Sequence, residues 1–119
     1  TLEVRKSMAT ACLDLTTSAE TTPPGFEIPA EVRTRVLALC KMLSDATRLR
    51  ICYYLTNEAE LNVSQLCRRI GQSQPAVSHH LAMMRANGIV DHRRHGRQIF
   101  YSIQGEALRR TLTQLFANP

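Results

Sequence analysis

Apolar residues recur at helical spacing from Val32 onward. Val32, Val36, Leu39, Cys40 and Leu43 follow i, i+4, i+7, i+8 and i+11, which predicts a first helix over about 30–43 with one apolar stripe. Asp45 is a natural N-cap for a second helix, about 46–56, whose Leu49, Cys52 and Leu55 point inward. Asn57 to Leu61 reads as a turn. Asn62, followed three residues later by Gln65, approximates a capping box. Val63, Leu66, Cys67 and Ile70 then give a short third helix a clean inner face. Gly71 ends it, since glycine accepts the left-handed conformation common at helix C-termini. Only Gln72 and Ser73 precede the next periodic stretch, where Ser73 caps a fourth helix and Pro75 is tolerated in the first turn. Val77, Leu81 and Met84 face inward there, and Gln74, Ser78 and His79 face outward. Two short helices joined by a tight turn containing glycine form a helix-turn-helix signature.

Gly88 stops the fourth helix. Ile89 to His92 and Ile99 to Ile103 read as two short strands, with Ile99, Tyr101 and Ile103 on one face. Arg93-Arg94-His95-Gly96-Arg97 is the expected hairpin tip between them. A last helix, about 105–117, carries Leu108, Leu112, Leu115 and Phe116 as a stripe that calls for a partner to cover it. Residues 1–29 differ: Thr16 to Gly25 reads TTSAETTPPG, with no period, and Met8 to Leu15 is at most a short helix. The expected organisation is therefore an N-terminal arm, 1–29, and a winged helix-turn-helix domain, 30–117. The fold class is mainly α with a small β-hairpin, in the order α-α-α-α-β-β-α.

A length of 119 residues fits one domain. No apolar run approaches the ~20 residues of a membrane span, and no basic, apolar, then small-residue leader is present, so the expected location is the cytoplasm. Cys12, Cys40, Cys52 and Cys67 are spaced by 28, 12 and 15 residues, with no C-x-x-C pair for a zinc ribbon or a thioredoxin-like site. Charge is uneven: residues 68–110 hold eight arginines against two acids, a net +6, while the rest of the chain carries −1. Such a basic half points to a polyanion, most often nucleic acid. Enzyme chemistry lacks its parts. No nucleophile has a base and an orienting partner at recognisable spacing, and there is no Gly-rich phosphate loop.

The polar face of the fourth helix has the width of the DNA major groove, and its capped N-terminus offers N–H groups to a phosphate. Arg93, Arg94 and Arg97 on a protruding hairpin suit adjacent phosphates or the minor groove. A winged helix serving only as a protein-interaction module is the alternative reading, and it leaves Gln74, Ser78 and His79 unexplained. The segments LSDATRLRI (43–51), VSQLCRRIGQSQPAVSHHLAMMRANGIV (63–90) and RRHGRQIFYSI (93–103) resemble the ArsR/SmtB family of bacterial metal- and stress-responsive repressors. The likeness spans about residues 30–116. It implies a homodimer through the first and last helices, bound to an imperfect palindrome in double-stranded DNA and released by an inducer that the sequence does not identify. The matching DNA-contact positions are Ser73, Gln74, Ser78, His79 and His80, one of the two histidines packing against the wing, with Arg97 next.

The family's sensor sites do not carry over. Asn62 and Ser64 stand where metal-binding relatives have cysteines at the start of the third helix, and the last helix has no histidine and one carboxylate. Both familiar metal sites are therefore missing, and no cofactor is expected, though a metal or thiol-reactive inducer stays open. Cys40, Cys52 and Cys67 read as small core residues. Relatives that sense persulfide or oxidants pair a cysteine near the second helix with one on the last. Here Cys52 stands near the first location and the second is empty, so Cys12 on the arm and Cys52 are the candidate thiol-sensing residues. His92 and His95, three apart at the wing, are a candidate zinc pair read more simply as surface imidazoles.

Overall fold

A computed structural model describes Gly25 and residues 27–117. The arm with its candidate short helix and Cys12 lies outside the described residues. The elements run α1 (Ala30–Leu43), α2 (Ala46–Asn57), β1 (Leu61–Asn62), α3 (Val63–Ile70), α4 (Gln74–Ala86), β2 (Val90–His95), β3 (Gln98–Ile103) and α5 (Glu106–Ala117). The residues from Thr34 onward form one compact unit.

Local chemistry sets most of the boundaries. The Arg48 backbone N–H donates to the Asp45 carboxylate at 3.0 Å and starts α2. Asn62 and Gln65 form a reciprocal capping box at 2.8 and 2.9 Å, which fixes the first turn of α3. Gly71 takes φ +76° and returns its N–H to the Cys67 carbonyl at 2.8 Å. This left-handed step is cheap only for glycine, and it turns the chain into α4 within three residues.

The core lies where α2, α3, α4, the sheet and α5 meet. Ile51, Cys52, Leu55, Leu66, Val77, Leu81, Met84 and Leu112 are fully or almost fully buried. Cys40 of α1 and Leu49 of α2, expected inside, are exposed, and Cys67 is only half-buried. Val36 of α1 is exposed too, and so is Leu115 of α5, on the stripe expected to need a partner. In α2 the buried strip runs through Ile51, Cys52 and Leu55, which leaves Leu49 roughly a third of a turn from its centre. Along α1 only Met42 is buried, with Leu39 and Leu43 packed partly against the core. Among the described residues, nothing covers Val36 and Cys40 of that stripe, and Val32 is half-buried.

The sheet has three strands rather than two, in the order β1-β3-β2, all antiparallel. β1 replaces the end of the expected turn: Leu61 pairs with Tyr101 and Asn62 with Phe100. Two residues show no alternation in sequence, so only the partner strand reveals them. The hairpin also differs from expectation. β2 continues through Arg93, Arg94 and His95, which pair with Phe100, Ile99 and Gln98, and the tip shrinks to Gly96 and Arg97. Backbone ladder bonds extend the ribbon whatever the polarity of its side chains. Gly96, at φ +64°, permits the tight return.

Candidate nucleic-acid interface

The helix-turn-helix brings the expected residues to one side of α4. The Ser73 hydroxyl accepts from the Ala76 N–H at 3.4 Å, and its own O–H stays available at an exposed helix N-terminus. Gln74 and His79 are exposed and Ser78 is half-buried beside them. The opposite face of the same helix buries Val77, Leu81 and Met84. That burial pins the helix and decides which side chains remain outside.

Gln74 and Arg97 come together although 23 positions separate them in sequence. They line one cleft of about 190 Å³ with Asn62, Val63, Ser64, Gln98 and Ile99, between the start of α3, the start of α4 and the hairpin tip. A wider depression of about 510 Å³ shares Ser64 and Gln74 with it and is lined further by Cys67 and Arg68. Ser64, Arg68 and Gln98 are not among the positions expected to contact DNA. The Arg68-Arg69 pair was the available signal for one of them.

His80 is placed differently from the expectation that one histidine packs against the wing. Its Nδ1 lies 3.5 Å from an Arg48 guanidinium nitrogen, at the start of α2. Arg48 is anchored there by donating to the Met42 carbonyl at 2.7 Å. The His79 ring lies 6.2 Å away from that of His80, in solvent. His92 and His95 do not converge either, since residues three apart on a strand point to opposite faces. His92 lies against Tyr101, its ring 5.8 Å away.

Several arginines of the basic half are already engaged. Arg69 donates to Glu58 at 2.7 Å. Arg109 donates to the carbonyls of Ala59 at 3.0 Å and Thr56 at 3.4 Å, closing the end of α2. Arg93 donates through Nε to Glu60 at 2.8 Å and through Nη2 to the other oxygen of the same carboxylate. That guanidinium holds the Glu60 carboxyl below the usual carboxylate range. Arg94 donates only to the Gly96 carbonyl, at 3.2 Å, and both Arg94 and Arg97 are exposed. Arg68, Arg85 and Arg110 are exposed as well. The field that a polyanion meets is thus smaller than the bare charge count and centred on α3, α4 and the hairpin tip.

Cys52 does not suit a sensor. It is fully buried, and burial pushes its thiol up to about 12, so it stays protonated and unreactive at neutral pH. Among the described residues no three His, Cys, Asp or Glu side chains gather into a metal-holding group. Nor is any described helix long and apolar enough to cross a membrane.

The bacterial regulatory protein, arsR family, model matches residues 45–92, from the cap of α2 into β2. The chain is 33% identical over 91 residues to the HTH-type transcriptional regulator KmtR of Mycobacterium tuberculosis, covering 76% of this chain and 69% of that protein. Among solved structures it is similar to HlyU from Vibrio cholerae, with TM-score 0.69, 28% identity and coverage of 75% of this chain and 96% of that one. The transcriptional repressor BigR from Xylella fastidiosa matches with TM-score 0.63 and 33% identity, covering 71% of this chain and 86% of that one. With a capped outward helix, a cationic hairpin and these relatives, the chain belongs to the ArsR family of bacterial regulatory proteins, which are DNA-binding transcriptional regulators and not enzymes.

Proposed function

We propose that this regulator is a repressor that binds a palindromic operator as a homodimer and leaves it when an inducer binds. One observation carries the reading: Gln74, Ser78 and His79 stand outward at the capped end of α4, and Gln74 shares a cleft with Arg97. Gln74, Ser78 and His79 read base edges, while Ser73, Arg94 and Arg97 hold phosphates. The dimer seam is the exposed apolar surface of Val36 and Leu37 on α1 and Leu115 on α5. Two α4 helices related by a twofold axis then enter successive major grooves about 34 Å apart. The BigR likeness supports the repressor direction. Binding to chromosomal DNA puts its site of action in the bacterial cytoplasm.

A mobility shift with the region upstream of the protein's own gene tests this. The expected result is a salt-sensitive complex that resists non-specific competitor DNA, and its absence rejects the reading. Ser78→Ala and His79→Ala each lower operator affinity by about 1–3 kcal/mol and relax specificity, whereas Arg97→Ala weakens binding on all sequences and flattens the salt slope by about 1.

A further inference from the structure

The ion pair between Glu60 and Arg93 joins residues 33 apart in sequence and crosses the sheet. Asn62, Phe100 and Arg93 sit side by side on the three strands, so the Arg93 side chain leaves β2, passes over β3 and reaches the segment leading into β1. Its guanidinium carbon lies 5.2 Å from the centre of the Phe100 ring. Both carboxylate oxygens of Glu60 accept from it. Surface ion pairs usually contribute little because two flexible chains must be ordered. Here that cost is reduced on both sides. Phe100 confines the arginine, and Glu60 precedes Leu61, which is 2% exposed and paired with Tyr101. The carboxylate is therefore presented from a fixed point, three residues before α3 begins. A fork of two charge-assisted bonds also fixes direction, which a single contact does not.

We propose that Glu60 is a positioning residue for the wing: it holds Arg93 as a brace from β2 to the entry of α3, so that the hairpin tip presents Arg94 and Arg97 to DNA while Arg93 contacts no phosphate. This inference rests on the DNA-binding reading above and deepens it. The three arginines of the hairpin then divide their roles by partner. Arg93 is neutralised where it lies, while Arg94 and Arg97 have no carboxylate partner among the described residues. Without the brace, the tip loses its fixed relation to α3 and α4, and Arg97 leaves the cleft it shares with Gln74.

The test is a salt titration of operator binding, on the region upstream of the gene, with wild type, Arg97→Ala, Glu60→Gln/Arg93→Gln and the triple variant. Removing both partners leaves the net charge unchanged, so a change in affinity reports position rather than charge. The brace predicts a folded Glu60→Gln/Arg93→Gln protein that binds about three- to tenfold more weakly, and a cost of Arg97→Ala in that background well below its cost in wild type. If the pair variant binds like wild type, or if Arg97→Ala costs the same in both backgrounds, the brace is overturned. Equal costs, with a salt slope lowered by about 0.9 in the pair variant, would instead make Arg93 a direct phosphate ligand. Should the pair variant melt early, Arg93→Lys, which keeps the charge and loses the fork, carries the same expectation. A wild-type protein that forms no salt-sensitive complex fails the DNA reading itself, an outcome distinct from all of these.

Discussion

Helices α1 and α3 carry the same kind of apolar stripe and end in opposite surroundings. In α3, Leu66 and Ile70 are buried against α2, α4 and the sheet, and Val63 and Cys67 are partly covered. In α1 only Met42 is buried, while Val36, Leu37 and Cys40 face solvent, Leu37 at 61% exposure. Helix α5 combines both situations: Leu112 is 1% exposed and Leu115 is 64% exposed. A stripe states that apolar surface needs cover. It does not state that the same chain supplies it. The outward α4 face makes the complementary point, since it is uncovered and polar. One molecule thus shows two open surfaces of opposite chemistry, the apolar one suited to a second copy and the polar one to a groove of DNA.

Substitutions on the two helices sharpen this contrast. Leu66→Ala on α3 removes fully buried volume and is expected to cost about 2–5 kcal/mol in urea unfolding, independent of protein concentration. Leu37→Asp with Leu115→Asp is expected to leave the helical circular dichroism intact while raising the dimer dissociation constant at least tenfold, about 1.4 kcal/mol. Sedimentation equilibrium reads this directly, and an unaltered dimer would place the seam elsewhere. The variant should also lose any dependence of its melting temperature on concentration.

A smaller effect tests the cap that orients α2. Asp45→Ala is expected to cost about 1 kcal/mol at neutral pH. The Arg48 backbone N–H, followed by the Arg48 and His80 charges, outweighs burial and holds the Asp45 carboxyl below its usual 3.8. A carboxyl lowered in the folded state stabilises above its ordinary value, and that contribution is lost as pH falls through the folded value. The difference between wild type and Asp45→Ala should therefore be constant from pH 5 to 8, on the order of that cap energy, and shrink below about pH 4. The smallest energetic effect is read by chemistry instead. In a Cys12→Ser background, a thiol reagent at neutral pH should label Cys67 on α3 slowly and Cys40 on α1 faster in the Leu37→Asp/Leu115→Asp variant than in the dimer, with Cys52 labelled only on unfolding. Early labelling of Cys52 would break the assignment of the core.

Much of the candidate surface was legible because its signals are local. Ser73, Gly71 and the Asn62–Gln65 box act over three or four residues, and the α4 periodicity separates Val77, Leu81 and Met84 from Gln74, Ser78 and His79. The misplacements come from contacts distant in sequence. His80 looks like its neighbour His79 in sequence, yet Arg48, 32 residues away, claims it. Arg93 reads like Arg94 and Arg97 until Glu60 removes it from the free cations. Cys52 carries no mark of its reactivity other than the burial that suppresses it.

The amino-acid order alone determined where helices start and stop, which face of α4 is polar and that a basic hairpin follows, because caps, glycines and apolar spacing act between near neighbours. Tertiary structure decided which arginines stay free, which cysteine is sealed, that a two-residue strand completes the sheet and which stripes remain uncovered. Each of those outcomes depends on a partner many residues away, and pairing across such distances leaves no period in the chain to read.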